Sequence, residues 1–224
     1  MTTSASFVRD LASVKLPGVF NPYADTCDVH DRSDAAVLRQ RALRSYLEAV
    51  RAMRVDTIWM GRDLGYRGGR RTGLALTDEL HLTMFASVYP GSATTKSTRG
   101  PIIAERTAAE IWSLLGQLKV PPLLWNVFPF HPHEPDDPFT NRKFTASELK
   151  VVDPLNRLLV KWLGIRRVIA IGQDAADYAG ELGIDVRAVR HPSYGGITDF
   201  RNGIHKLYGL HHSPLRSVHQ SSLL

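Results

Sequence analysis

The sequence predicts an α/β protein: a single-domain three-layer α/β/α sandwich with a central, mostly parallel four-stranded sheet. Three observations predict it. Strand-like and helix-like blocks alternate along most of the chain. The strand candidates are near-continuous apolar runs, as strands covered on both faces are. Three polar, glycine- or proline-bearing segments fall where such strands end, and open parallel sheets bind their ligands there.

The elements follow in order. Residues 1–33, with "GVFNPYADTC", are expected as an irregular N-terminal arm. A helix is expected from Asp34 to Met53, with Val37, Leu38, Leu43, Leu47 and Val50 near helical spacing and Ser33 or Asp34 as its cap. Val55 to Met60 reads as a strand that stops at Gly61. Glu105 to Leu118 reads as a helix and Pro122 to Val127 as a second strand. A third helix lies within Phe144 to Leu163. Arg167 to Ile171 is a buried strand, Asp174 to Leu182 a short helix, Asp185 to Val189 the last strand and Asp199 to Tyr208 a closing helix. Trp59, Trp112, Trp125 and Trp162 fall inside these elements and are assigned to the core. One domain is expected over residues 1–210, with a flexible tail over 211–224, which is rich in Ser and His and has no periodicity.

Composition narrows the classes. At 224 residues and 43% hydrophobic, the chain can bury a sizeable core. No run of eighteen apolar residues exists, so no membrane span is expected. Met1 to Arg9 lacks the apolar stretch of a secretory signal. The one cysteine, Cys27, cannot form an internal disulfide or by itself hold a zinc ion or an iron–sulfur cluster, and it fits a reducing cytoplasm. A net charge of +6 favours an anionic partner, of which nucleic acid is the commonest. Arg62, Arg67, Arg70 and Arg71 crowd one glycine-rich loop, and Arg142 with Lys143 follows another. They read either as solvated arginines or, because these loops also carry chemistry, as a phosphate-tracking rim around a pocket.

Three loops carry that chemistry. The first, Gly61 to Leu76, holds five glycines in its first thirteen residues, which allows close backbone approach to a ligand. It is neither a Walker loop nor a dinucleotide fingerprint. Asp63, just off a strand, could activate water or stabilise a cation, or could simply cap a turn. The second runs from Leu124 to His133. Asn126 lies mid-strand, where its amide either pins the loop or offers an acceptor and two donors to a pyrimidine edge. His131 and His133 lack a third ligand nearby, so no metal is expected. The third, Arg190 to Gly196, puts His191 at a strand end. It is either structural or a hydrogen-bond donor to charge developing on a leaving base, for which neutral imidazole suffices.

Together the loops resemble the uracil-DNA glycosylase superfamily. Its opening Gly-x-Asp/Asn/Ala-Pro loop is matched by Gly61-Arg62-Asp63-Leu64-Gly65, its strand asparagine by Asn126 and its His-Pro-Ser by His191-Pro192-Ser193. "GYRGGRRTGLALTDE", "NVFPFHPH", "NRKFTASE" and "RHPSYGG" are similar to a bacterial subgroup without the iron–sulfur cluster, and the resemblance covers about residues 56–200. It implies a monofunctional DNA repair hydrolase that flips uracil from single- or double-stranded DNA and leaves an abasic site. No cofactor is implied, and the location is the bacterial cytoplasm, at the nucleoid. Asp63 would polarise the attacking water and stabilise the sugar cation, and His191 would stabilise the departing base at O2. Asn126 would read the uracil edge within a pocket made by Gly61, Arg62, Leu64, Gly65, Tyr66, Leu76 and Phe128. Arg67, Arg70, Arg71, Arg142, Ser193 and Tyr194 would hold DNA.

The departures from the family pattern carry expectations too. Leu64 in place of proline would loosen the first loop. Leu76 stands where a uracil-stacking phenylalanine is usual, so stacking is weaker or supplied by Phe128 or Phe130. Gly65 stands where strict enzymes carry a tyrosine, so 5-substituted uracils would be tolerated. Arg62 stands where the iron–sulfur branch often has glutamate, which leaves catalysis to Asp63. Two rivals remain: a silent binder of modified DNA, and a nucleoside-processing α/β enzyme whose covalent mechanism needs a glutamate that none of the three loops supplies.

Overall fold

The computed structural model describes residues 1–210; the tail expected over 211–224 lies outside them. The architecture is the expected α/β one, a four-stranded parallel sheet flanked by helices. The elements are α1 Ser4–Ser13, β1 Val19–Phe20, α2 Ala35–Ala52, β2 Thr57–Asp63, α3 Gly69–Thr72, α4 Phe85–Val88, α5 Arg106–Leu115 and β3 Leu123–Phe128. They continue with β4 His131–Pro132, α6 Ala146–Leu163, β5 Arg167–Ile171, α7 Gln173–Gly180, β6 Asp185–Val189 and α8 Ile197–Tyr208, with a 3₁₀ turn at Leu80–Met84.

The sheet order is β3-β2-β5-β6, and every pairing in it is parallel. β2 and β5 are the inner strands with mostly buried residues, and the edge strand β3 is buried along its whole length, which is why all three read as apolar runs. α6 and α7 pack on the sheet, α8 on β6, and α1 on α2 and α6. The four tryptophans fall as expected: Trp59, Trp112 and Trp125 are buried, and Trp162 packs half-buried beside Phe7. Buried indoles need partners, and Trp125 Nε1 donates to Asn156 Oδ1 at 2.9 Å.

Three expectations need correction. The N-terminal arm is not irregular throughout. It holds α1, whose Phe7, Val8 and Leu11 bury one face and whose start carries a reciprocal Thr3/Ser6 capping box. The arm then adds β1, antiparallel to β4. Second, β2 does not stop at Gly61. Register pairing of Gly61 with Asn126 and of Asp63 with Phe128 extends it to Asp63, where partner-strand hydrogen bonds outweigh the poor strand propensity of Gly and Asp. Third, α2 starts without a side-chain cap, because Asp34 is engaged by Arg32 instead.

Candidate active site

At the C-terminal ends of the strands lies an open cleft of about 530 Å³. Gly61, Arg62, Asp63, Leu64, Gly65 and Leu76 of the first loop line it, with His191, Ser193 and Tyr194 of the third. A fourth strand end, Ile171 to Asp174 after β5, closes the gap between them. It holds Gly172 in the left-handed region (φ 91), where a Cβ would lie 3.4 Å from the Cβ of His191.

Asp63 ends β2 with its side chain 8% exposed. Burial raises its carboxyl pKa above the ordinary value of 3.8, and the Arg62 guanidinium, 2.6 Å away, opposes that rise only in part. Arg62 also lies 3.7 Å from Asp174. The carboxylate is therefore kept basic and held in one orientation, as a water-activating group needs.

Asn126 sits at the back, behind Gly61. Its side chain is buried and its Oδ1 has no hydrogen-bond partner among the described residues. Such an acceptor costs about 1–3 kcal/mol unless a ligand supplies a donor. Gly61 is required here for space: a Cβ on it would stand 2.6 Å from Asn126 Oδ1 and 2.9 Å from Leu76 Cδ2. Gly61→Ala is accordingly expected to cost about 1–3 kcal/mol by overpacking and to displace the amide. Thermal melting reads the first effect and uracil-DNA affinity the second.

His191 follows β6. The backbone N–H of Ser193 donates to its Nδ1 at 3.1 Å, and Ser193 Oγ lies 2.7 Å from the same atom. A backbone N–H can only donate, so Nδ1 is the acceptor and the imidazole proton resides on Nε2. Burial, assisted by Arg62, holds its pKa below the usual 6.5. At neutral pH His191 is thus a neutral Nε2–H donor.

Leu64 does not loosen the loop. It is buried, lies where a Cβ on Gly69 would be 2.4 Å away, and donates its N–H to the Phe130 carbonyl at 3.1 Å, a bond proline could not make. Phe128 and Phe130 do not stack on a ligand either. Both are fully buried, pack edge-on against each other, and are absent from the cleft lining. Leu76 meets the cleft, as Leu64 does, with left-handed backbone (φ 54) that costs a leucine about 1–2 kcal/mol. Tyr66 also stands outside the lining, its N–H held by Asn141 Oδ1.

The expected arginine rim divides. Arg67 is exposed beside the Tyr66 ring and is free to meet phosphate. Arg70 and Arg71 are interior. Arg70 lies against Phe20 and Phe139, and Arg71 Nε lies 3.1 Å from the buried Glu79. Arg142 is spent on Glu148 and on the carbonyls of Gly18 and His133, tying the arm to the second loop. These three fasten the site from behind: Arg71 and Arg142 are engaged by Glu79 and Glu148, and Arg70 is buried against two rings, so none is presented to solvent as Arg67 is. Arg71→Ala is expected to cost about 3–5 kcal/mol by stranding Glu79, read by denaturant unfolding. Arg67→Ala should leave stability intact and flatten the salt dependence of DNA binding.

Cleft residues outside the expected set are Glu105 and Thr107 at the start of α5, Asn141 and Lys143 flanking Arg142, and Asp174, which pairs with both Lys143 and Arg62. Asn141 and Lys143 stand in "NRKFTASE", but nothing in that string says which residue turns inward. Glu105 supplies the cleft glutamate that the three loops lack. His131 is buried with Nε2 on the Thr140 carbonyl, its pKa pushed down to about 4 by burial and Arg70. No group of three metal-ligating side chains exists among the described residues, and no described helix is long and apolar enough to cross a membrane.

No protein-family model matches the sequence, and no curated protein is similar to it. The fold, however, has solved counterparts. That of SMUG2 from Pedobacter heparinus aligns with a TM-score of 0.62 over 93% of this chain and 97% of its own, at 12% sequence identity. What the two proteins share is the fold.

Proposed function

We propose that this chain is a DNA glycosylase that removes uracil from DNA by hydrolysing its N-glycosidic bond. One observation carries the proposal. A single cleft brings together a buried basic carboxylate and an imidazole fixed as a neutral Nε2–H donor, and directly behind its Gly61 wall lies a buried amide with an unpartnered acceptor. Cleaving the bond between C1′ and N1 leaves positive charge on the sugar and negative charge on the base, so the transition state needs a carboxylate and a neutral donor together. Asp63 takes a proton from the attacking water as its oxygen bonds to C1′. The C1′–N1 electron pair leaves with the base, where His191 Nε2–H stabilises the O2 charge. Asn126 Oδ1 accepts the uracil N3–H.

The base must first leave the duplex, which costs a few kcal/mol and least from a single strand. Tyr194 fits the task of filling the vacated stack. It is 98% exposed at the cleft rim, in left-handed backbone (φ 51) before Gly195, an orientation that holds a large ring in solvent. Tyr194→Ala is expected to lower excision from duplex about ten-fold and to leave single strands nearly unchanged.

The proposal is tested with oligonucleotides carrying uracil, thymine or 5-substituted uracils, single- and double-stranded, with the released base measured by mass spectrometry. Gly65 lines the cleft and, by the family resemblance, stands where a tyrosine would bar 5-substituents, so 5-substituted uracils should be released along with uracil. Tight uracil-DNA binding without base release would support the silent-binder alternative.

A further inference from the structure

Glu105 is a third carboxyl group in the cleft besides Asp63 and Asp174, and the mechanism above does not use it. Its backbone N–H is held by Asp78 Oδ2 at 2.6 Å, which fixes the side chain's root at the start of α5. From there the carboxyl lies flat on the first loop. A Cβ on Gly65 would be 3.1 Å from Oε1, and one on Gly68 would be only 2.0 Å from Oε2. Gly68 has φ −111, outside the left-handed region, and the space left by its missing Cβ is where the carboxyl lies. Among the described residues, no donor reaches the Glu105 carboxyl and no cation pairs with it within 4 Å. It is a half-buried acid turned toward a cavity with its oxygens unengaged.

The surrounding charges explain its state. Burial and then the Asp78 carboxylate raise its pKa, while Arg67 opposes them. Asp78 is itself committed to His81. The other charges of the cleft are paired among themselves, Asp63 with Arg62 and Asp174 with Lys143, and His191 is neutral. A bound base would expel the remaining water. A carboxylate without donors, facing the carbonyl oxygens of a pyrimidine, would then be repelled. A carboxylic acid would donate to one of them.

Building on the glycosylase reading, we propose that Glu105 contacts the extruded base directly, as a neutral carboxylic acid donating a hydrogen bond to a base carbonyl oxygen on the side of Gly65. Gly65 and Gly68 are glycines so that this side chain can lie where it does.

The test compares wild type, Glu105→Gln and Glu105→Ala over pH 5–9. Single-turnover release of uracil from a single strand is one readout. Affinity for the same strand on an Asp63→Asn background is the other. Glutamine keeps a donor at all pH, so Glu105→Gln should stay within about three-fold of wild type at low pH and lose the alkaline decline in rate and affinity. Glu105→Ala should lose about 10-fold to 100-fold in both. A ¹³C-carboxyl signal present in wild type and missing in Glu105→Gln should titrate above the ordinary glutamate value of 4.5. Glu105→Ala matching wild type would overturn the proposal. So would Glu105→Gln failing as badly as Glu105→Ala, since that marks an ionised acceptor or nucleophile. Absence of uracil release by wild type would instead defeat the glycosylase reading, and the affinity and carboxyl titrations would still decide the role of Glu105.

Discussion

Asp63→Asn is expected to slow uracil release by about 10³-fold without destabilising the fold. The size follows from removing at once the proton acceptor for water and the negative charge facing the sugar cation, effects of about 10²-fold or more that do not multiply in full because one side chain supplies both. The stability claim follows from linkage. Asp63 has its folded-state pKa raised by burial, so the folded protein holds that proton more tightly than the unfolded chain. The resulting penalty is absent below about pH 3.8, grows as pH rises through the folded pKa, and is complete above it. An amide cannot ionise and escapes that penalty, although Arg62 loses its partner. Thermal melts at pH 7 should give Asp63→Asn a Tm equal to or above that of wild type. The rate of wild type should fall with acid through a midpoint above 3.8. A large drop in Tm would mean that the Arg62 pair outweighs desolvation.

His191→Ala is expected to cost about 10²–10³-fold in the rate, the usual effect of removing one preorganised donor from developing charge. Ser193→Ala keeps the backbone N–H that fixes the tautomer and removes only the hydroxyl, so it should cost about ten-fold or less. A Ser193→Ala defect as large as that of His191→Ala would place the catalytic donor on the hydroxyl. Single-turnover rates with saturating enzyme separate these outcomes from changes in DNA affinity.

Much of this design was legible in the residues. β5 is an apolar strand and β6 a short one alternating Val with Asp and Arg, and the bounds of both were readable to the residue. Asp63 and His191 are brought to one cleft because parallel strands place their C-terminal ends together. What could not be read depends on direction. Arg67, Arg70 and Arg71 look alike in the sequence, yet α3 begins at Gly69 and turns the latter two inward, so only Arg67 stays in solvent. Arg142 and its neighbours Asn141 and Lys143 divide in the same way between anchoring the loop and lining the cleft. Leu64 looked like a missing proline, whereas its N–H and side chain are both in use. Glu105 was invisible because it comes from a helix start with no motif, and only the tertiary packing of α5 against the first loop brings it to the site. α1 was missed because its apolar face is three residues, Phe7, Val8 and Leu11, within an otherwise polar stretch.

The most direct measurement incubates purified protein with end-labelled oligonucleotides bearing one uracil, then treats them with alkali to break abasic sites. Wild type should yield a strand break at the uracil, with Asp63→Asn and His191→Ala each reduced by at least 10²-fold. No break with any uracil strand, or equal breakage by wild type and both variants, would contradict the assignment of this cleft to N-glycosidic hydrolysis.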